Sequence, residues 1–178
     1  MMNWDQIGKY CSLFLADGVA GYFLQFIAYS LAIHAFNKLM IKPLRLFVMA
    51  LTFSILAFGI KKLPINIDII LIMIACILLS YLLFKTNIYS TVLAVLLTAL
   101  SVLIFELVTY GIANLIFGTE KFNYYFYDKS SIDNLIIKAL IGIPTNIFLI
   151  IEMIFVYKII PSKLKKGVYN GEDSKENS

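Results

Sequence analysis

Between Lys85 and Gly118 the chain is apolar for about thirty residues and carries a single charged side chain, the carboxylate of Glu106, whereas a bilayer core takes only about 20 helical residues. A run of that length has one low-energy use, a helix across a membrane, because every backbone N–H and C=O must be satisfied within the segment. Glu106 then needs a reason to be there. A charge near the centre of a spanning helix is penalised by about 2.5–3.5 kcal/mol on insertion scales, and such residues face a protein interior or a wet cavity. Composition agrees with the run: 61% of the 178 residues are hydrophobic and 15% are charged, against about 25% charged in a globular chain. The apolar runs use most of the length, which leaves no room for an aqueous enzyme domain. The expected fold is an all-α, polytopic integral membrane helix bundle over residues 1–166, followed by a disordered polar tail at 167–178 that has too little apolar surface to bury.

Five helices are expected, at 12–33, 46–60, 67–84, 88–110 extending to 118, and 132–160. The first follows one basic residue, Lys9, and has no convincing small-residue cleavage site, so it reads as a retained span rather than a signal peptide. Ala16, Ala20, Ala28 and Ala32 form an i, i+4 stripe broken at Leu24 that would let a neighbour approach closely. Asp17 and Gln25 lie in this helix, and an interhelical hydrogen bond would account for each. The helix at 46–60 is the short one, bounded by Arg45 on one side and by Lys61, Lys62 and Pro64 on the other, so snorkelling or local thinning must make up its length. Asp68 falls in the first turn of the third helix, where a carboxylate complements the helix dipole. Tyr110 and Asn114 follow Glu106 at i+4 and i+8, with Thr109 and Ala113 nearby on that face, making a polar ladder on an apolar helix. GTEKFNYYFYDKSS reads as the longest internal loop, and its aromatics, including Tyr124 and Tyr125, suit either an interfacial belt or a ligand-contacting surface. In the last helix Pro144 removes one backbone donor and predicts a kink.

Five spans place the two ends of the chain on opposite sides. Lys38, Lys42, Arg45, Lys85, Lys158, Lys163, Lys165 and Lys166 fall on one side and Lys9, Lys61, Lys62, Lys121 and Lys129 on the other. The positive-inside rule therefore orients the chain N-out, C-in. At about 1.5 Å of rise per residue this topology brings Asp17, Asp68 and Glu106 into the outer third of the bilayer. Glu152 lies nearer the inner face, too far to pair with Glu106. The candidate ligand-binding residues are Asp17, Asp68, Glu106, Tyr110 and Asn114, roofed by Tyr124 and Tyr125. An equally weighted alternative makes the acids structural, neutralised by Lys61 and Lys62.

No catalytic constellation is present in the sequence. There is no nucleophile elbow, phosphate-binding Gly-rich loop, zinc-protease motif or dinucleotide fingerprint. Cys11 and Cys76 lack metal-ligand spacing. His34, the one histidine, sits at the edge of the basic loop without an acid, cysteine or second histidine close by, which suggests a satisfied interfacial side chain. No catalytic residue, metal or cofactor is expected. The net charge of +4 belongs to lysines and arginines flanking apolar runs, so it signals topology and membrane lipid rather than nucleic acid.

The basic loop around Pro43, a short helix, the KKLPINI turn, the FKTNIYSTVLAVL lead-in, the mid-helix FELV, and a final helix with IGIPTNIFLIIE before a lysine-rich exit resemble, over residues 35–166, the membrane sensor half of accessory-gene-regulator type histidine kinases of low-GC Gram-positive bacteria. The resemblance implies a multi-pass protein of the plasma membrane that detects a secreted peptide and signals through a dimerisation helix and a kinase domain. After Lys166 the chain departs from that pattern, with neither a phospho-acceptor helix nor an ATP-binding domain, so kinase activity does not carry over. The expectation is a stand-alone, non-catalytic sensor-like or regulatory module, able to form a homodimer, that binds an extracellular peptide or small ligand and acts through a kinase or regulator. The alternatives are a substrate-capture subunit of a multi-subunit importer and an assembly factor in which the acids serve packing alone.

Overall fold

A computed structural model describes the backbone of residues 4–61, 67–127 and 131–172, and the side chains within 7–160 of that set except Ala20 and Asp68. Lys62, Pro64, most of the KKLPINI turn, Lys129, the side chains of Lys163, Lys165 and Lys166, and the tail beyond Glu172 lie outside the described residues.

The chain forms an all-α membrane bundle. Helix α1 (Trp4–Leu13) runs through a π-helical segment (Phe14–Phe23) into α2 (Leu24–Phe36), and α3 (Pro43–Lys61), α4 (Asp68–Phe84) and α5 (Ile88–Phe117) follow. A short α6 (Thr119–Tyr127) then leads to α7 (Ile132–Glu172). Among the described residues, four stretches are long and apolar enough to cross a membrane: Ile7–Phe36, Pro43–Lys61, Ile88–Phe117 and Ile132–Ile160. Ile69–Phe84 is the shorter apolar helix between them.

Three boundaries differ from the expected ones. The short helix is α4 rather than the one at 46–60, because α3 starts at Pro43 and takes in the first turn read as loop. Proline at that position is favourable, since the first helical N–H has no intrahelical partner to lose. The loop at 118–131 is in large part the helix α6, whose TEKFNYYFY sequence has no glycine or proline to break it. The final helix passes Pro161 and continues to Glu172, so residues 167–172 of the tail read as disordered are helical.

The interior interleaves large apolar side chains, among them Phe53, Ile33, Met49, Leu149 and Met153, with small and hydroxyl-bearing ones. Ala28, Ala32, Ala35, Ala50, Ala57 and Ala94 are buried, as are Ser30, Ser80, Thr91 and Thr98, while other Leu, Ile and Phe side chains cover the outside. In a bilayer the apolar effect does not favour one face of such a helix over another, so close backbone approach and van der Waals packing decide which residues turn inward. Most of the hydroxyls are satisfied locally: Ser54, Ser80 and Thr98 donate to the carbonyls of Ala50, Cys76 and Ala94 at 2.7, 2.6 and 2.7 Å, whereas Ser30 Oγ is buried without a partner. Helix α2 packs chiefly on α7 and also on α3 and α5, and the π-helical segment packs on α7 as well; of the alanine stripe, Ala28 and Ala32 are buried in α2 and Ala16 in the π-helical segment.

One end of the bundle is stitched by polar contacts. Asn37 Oδ1 accepts from the Asn87 N–H at 2.7 Å, and its Nδ2 donates to Thr91 Oγ1 at 3.2 Å, tying α2 to the start of α5. Arg45 donates to the Phe84 carbonyl at 2.6 Å. Tyr157 of α7 donates to the Leu39 carbonyl and accepts from the Ile41 N–H, at 3.2 and 3.3 Å. Lys38 and Lys85 end α2 and α4 in left-handed backbone conformations, φ 54° and 52°. That conformation is unfavourable for a side chain with a Cβ, but each places a cation at a helix C-terminus, where the dipole favours it. Of the basic residues expected to share a side, Lys38, Arg45 and Lys85 meet at this end. His34 sits in the last turn of α2 with its side chain fully buried, but not satisfied as expected. Its Nδ1 donates to the Ser30 carbonyl at 2.7 Å, and its Nε2 is buried without a hydrogen-bond partner.

Candidate functional site

At the opposite end, the π-helical segment, α2, α3, α5 and α7 enclose a cavity of about 410 Å³. Its charged wall is Asp17 from the π-helical segment, Lys61 from the last position of α3, Glu106 from α5 and Lys138 from α7. Gln25, Tyr110 and Asn146 add polar atoms. The two lysines act electrostatically on both acids, so four formal charges from four separate segments sum to zero within one cavity. Neutral overall but locally polar, the arrangement lowers the penalty of placing carboxylates below the end of a spanning helix. It also presents both signs of charge to whatever enters.

Local structure explains how each group arrives. A π-helix, with its i→i+5 hydrogen bonds, is rare and tends to occur as a single turn at functional positions, yet here it extends over ten residues, FLADGVAGYF. Its Gly21 carbonyl accepts from Asn146 Nδ2 of α7 at 3.1 Å, so a side chain of α7 takes part in satisfying the loosened backbone. Gly21 has no Cβ to fill the space beside Asp17, whose Oδ1 would lie 3.5 Å from one. Lys61 is held over the Tyr22 ring, 4.7 Å from its centroid, and Lys138 over the Phe126 ring at 5.4 Å. Phe126 in turn packs edge-on against Tyr110 at 4.8 Å. Each lysine thus has an aromatic face to fix its position.

Of the residues named from sequence, Asp17, Glu106 and Tyr110 meet in this cavity. Asp68 opens α4, but its side chain lies outside the described residues. Asn114 stands one turn beyond Tyr110, outside the cavity wall, with Oδ1 buried and lacking a hydrogen-bond partner. Tyr124 and Tyr125 lie on α6 outside the wall, Tyr124 exposed and Tyr125 packed on Phe117 at 6.1 Å. The aromatic side chain of that segment that reaches the site is Phe126, through Tyr110 and Lys138, because helical spacing turns it inward and its neighbours outward. Lys138 carries a signal that sequence reasoning passed over: a lysine two turns inside an apolar helix is as anomalous as the acids. Gly142, Thr145 and Asn146, further along the same helix, complete that wall.

The other expected acid, Glu152, is apart from this site. Its Oε1 accepts from Ser101 Oγ at 3.0 Å, and its Oε2 is buried without a partner. Thr145 Oγ1 donates to Thr109 Oγ1 at 2.9 Å, joining α7 to the polar ladder of α5. Cys11 is exposed and Cys76 buried, both as free thiols. Among the described residues no three His, Cys, Asp or Glu side chains are grouped as a metal site would require. Compared with known proteins, the chain matches no family model, no curated protein and no solved structure.

Proposed function

We propose that the chain is a non-catalytic, sensor-like or regulatory membrane module that binds a peptide or small ligand in the charged cavity and acts through a partner protein. The observation that carries this reading is the convergence of Asp17, Lys61, Glu106 and Lys138 on one space of about 410 Å³. Ligand pockets commonly measure about 300–1,000 Å³ and rely on a few placed polar groups. A purely structural pairing of acids with lysines needs no such space.

The orientation N-out, C-in, with the cavity toward the outer face, belongs to the same proposal. The lysine bias supporting it narrows once Lys138 joins Lys9, Lys61, Lys62, Lys121 and Lys129 against the eight cations of the other side. Residence in a Gram-positive plasma membrane, a kinase or regulator as partner, and homodimer formation follow from the accessory-gene-regulator resemblance. The importer-subunit alternative draws on the same cavity, whose size suits a small molecule equally well. Affinity purification of the full chain from detergent-solubilised membranes separates the two: a kinase or regulator supports sensing, and an ATPase-linked scaffold supports uptake. Glu106→Gln is the test of the site itself. A folded Glu106→Gln protein with unchanged response or uptake would remove the cavity from the mechanism.

A further inference from the structure

The charged cavity shares a wall with a second one. Tyr22, Gln25, Lys61 and Glu106 line both, and the second encloses about 470 Å³. Beyond those four residues and Tyr29 its lining is apolar, contributed mainly by α4 and α5. Ile69, Leu96, Leu100 and Leu103 of that lining are also exposed on the outside of the bundle, between 51% and 64%. With α5 long enough to span a membrane and α4 the shorter apolar helix packed on it, that exterior would face hydrocarbon, and the second cavity would open sideways into the acyl chains as a slot.

The two spaces impose different requirements on one occupant. The first offers two carboxylates and two ammonium groups, so it matches a ligand that carries both charges; an anion or a cation alone would leave one pair opposed by its own sign. The second favours an apolar chain, and because it is continuous with the bilayer such a chain enters without crossing water. A water-soluble zwitterion gains nothing from the slot, and a hydrocarbon cannot complement the charges. Lys61, held over Tyr22 at the shared wall, sits where a headgroup meets its chain.

We propose that the site takes a zwitterionic lipid, with its ammonium toward Asp17 and Glu106, its phosphate toward Lys61 and Lys138, and an acyl chain in the slot between α4 and α5. This rests on the charged cavity being the binding site and names the class of ligand it holds. The full chain, purified in detergent and equilibrated with equal amounts of phosphatidylethanolamine and phosphatidylglycerol of matched chains, is examined by native mass spectrometry. Dileucine, a soluble zwitterion without an acyl chain, is titrated separately by calorimetry. The expected result is retention of phosphatidylethanolamine over phosphatidylglycerol by about tenfold, which corresponds to about 1.4 kcal/mol. That preference falls to near unity in Asp17→Asn/Glu106→Gln. In Leu100→Trp, an exposed position whose change fills the slot without touching the charges, retention of phosphatidylethanolamine drops several-fold. Equal retention of the two lipids, or a preference the charge variant leaves intact, overturns the proposal. If the lipids are not distinguished but dileucine binds and loses binding in the charge variant, the lipid falls while the charged cavity stands as a site. If neither lipid preference nor dileucine binding is found, both fall.

Discussion

Leu149→Ala tests whether the core of this protein formed in lipid. Leu149 lies on α7 with no exposed surface, inside the cluster that joins α2, α3, α4, α5 and α7. In a water-formed core, Leu→Ala costs about 2.7–5.0 kcal/mol, a sum of lost transfer energy and the cavity left behind. Removing three carbon groups at about 0.8 kcal/mol each accounts for about 2.4 kcal/mol as transfer. The remainder, about 0.3–2.6 kcal/mol, is the packing and cavity part. For a helix that separates from its neighbours while still in a bilayer, the leucine moves from protein to acyl chains that are equally apolar, and the transfer part vanishes. The expected loss for Leu149→Ala is therefore about 0.3–2.6 kcal/mol. Reversible unfolding by dodecyl sulfate in mixed micelles, followed by circular dichroism and by fluorescence of a label on Cys11, measures it. A loss above about 3 kcal/mol would falsify the reasoning, since it would restore the water-transfer part that membrane residence removes.

The same titration reads three other changes. Lys138→Met leaves two acids facing one lysine in the cavity, with an expected cost of about 1–3 kcal/mol, and adding Asp17→Asn recovers at least half of it; strict additivity in that double-mutant cycle would mean that the two residues do not interact. Ser101→Ala takes from Glu152 the hydroxyl on Oε1 while Oε2 is already without a partner, so about 1–3 kcal/mol should be lost, and an unchanged midpoint would show that the bond contributes nothing. Asn37→Ala removes the acceptor of the Asn87 N–H and the donor to Thr91; a loss of about 1–2 kcal/mol is expected, together with faster hydrogen exchange at Asn87, and exchange unchanged at that amide would refute the stitching role.

The sequence by itself determined the solvent. A thirty-residue apolar run at Lys85–Gly118, few charges, and lysines at the ends of the runs left helices across a membrane as the one way to satisfy the backbone. It also made Asp17, Glu106 and Tyr110 conspicuous, because a polar group in such a run is costly wherever it lies and so needs a partner or a cavity. Tertiary structure alone decided which of the polar groups meet. Asp17 and Glu106 are far apart in the chain and come together with Lys61 and Lys138 through the packing of the π-helical segment, α3, α5 and α7, whereas Tyr124, Tyr125 and Asn114 turn elsewhere. The π-helical segment escaped sequence reasoning because FLADGVAGYF is apolar and glycine-containing whether its bonds run to i+4 or i+5; the choice is settled by neighbours such as Asn146, which takes up the Gly21 carbonyl. Lys138 was passed over although a lysine two turns inside an apolar helix is conspicuous, because its role exists only once Asp17 and Glu106 stand opposite. Hydrophobic periodicity reports the medium around a helix, and only packing reports the company a buried charge keeps.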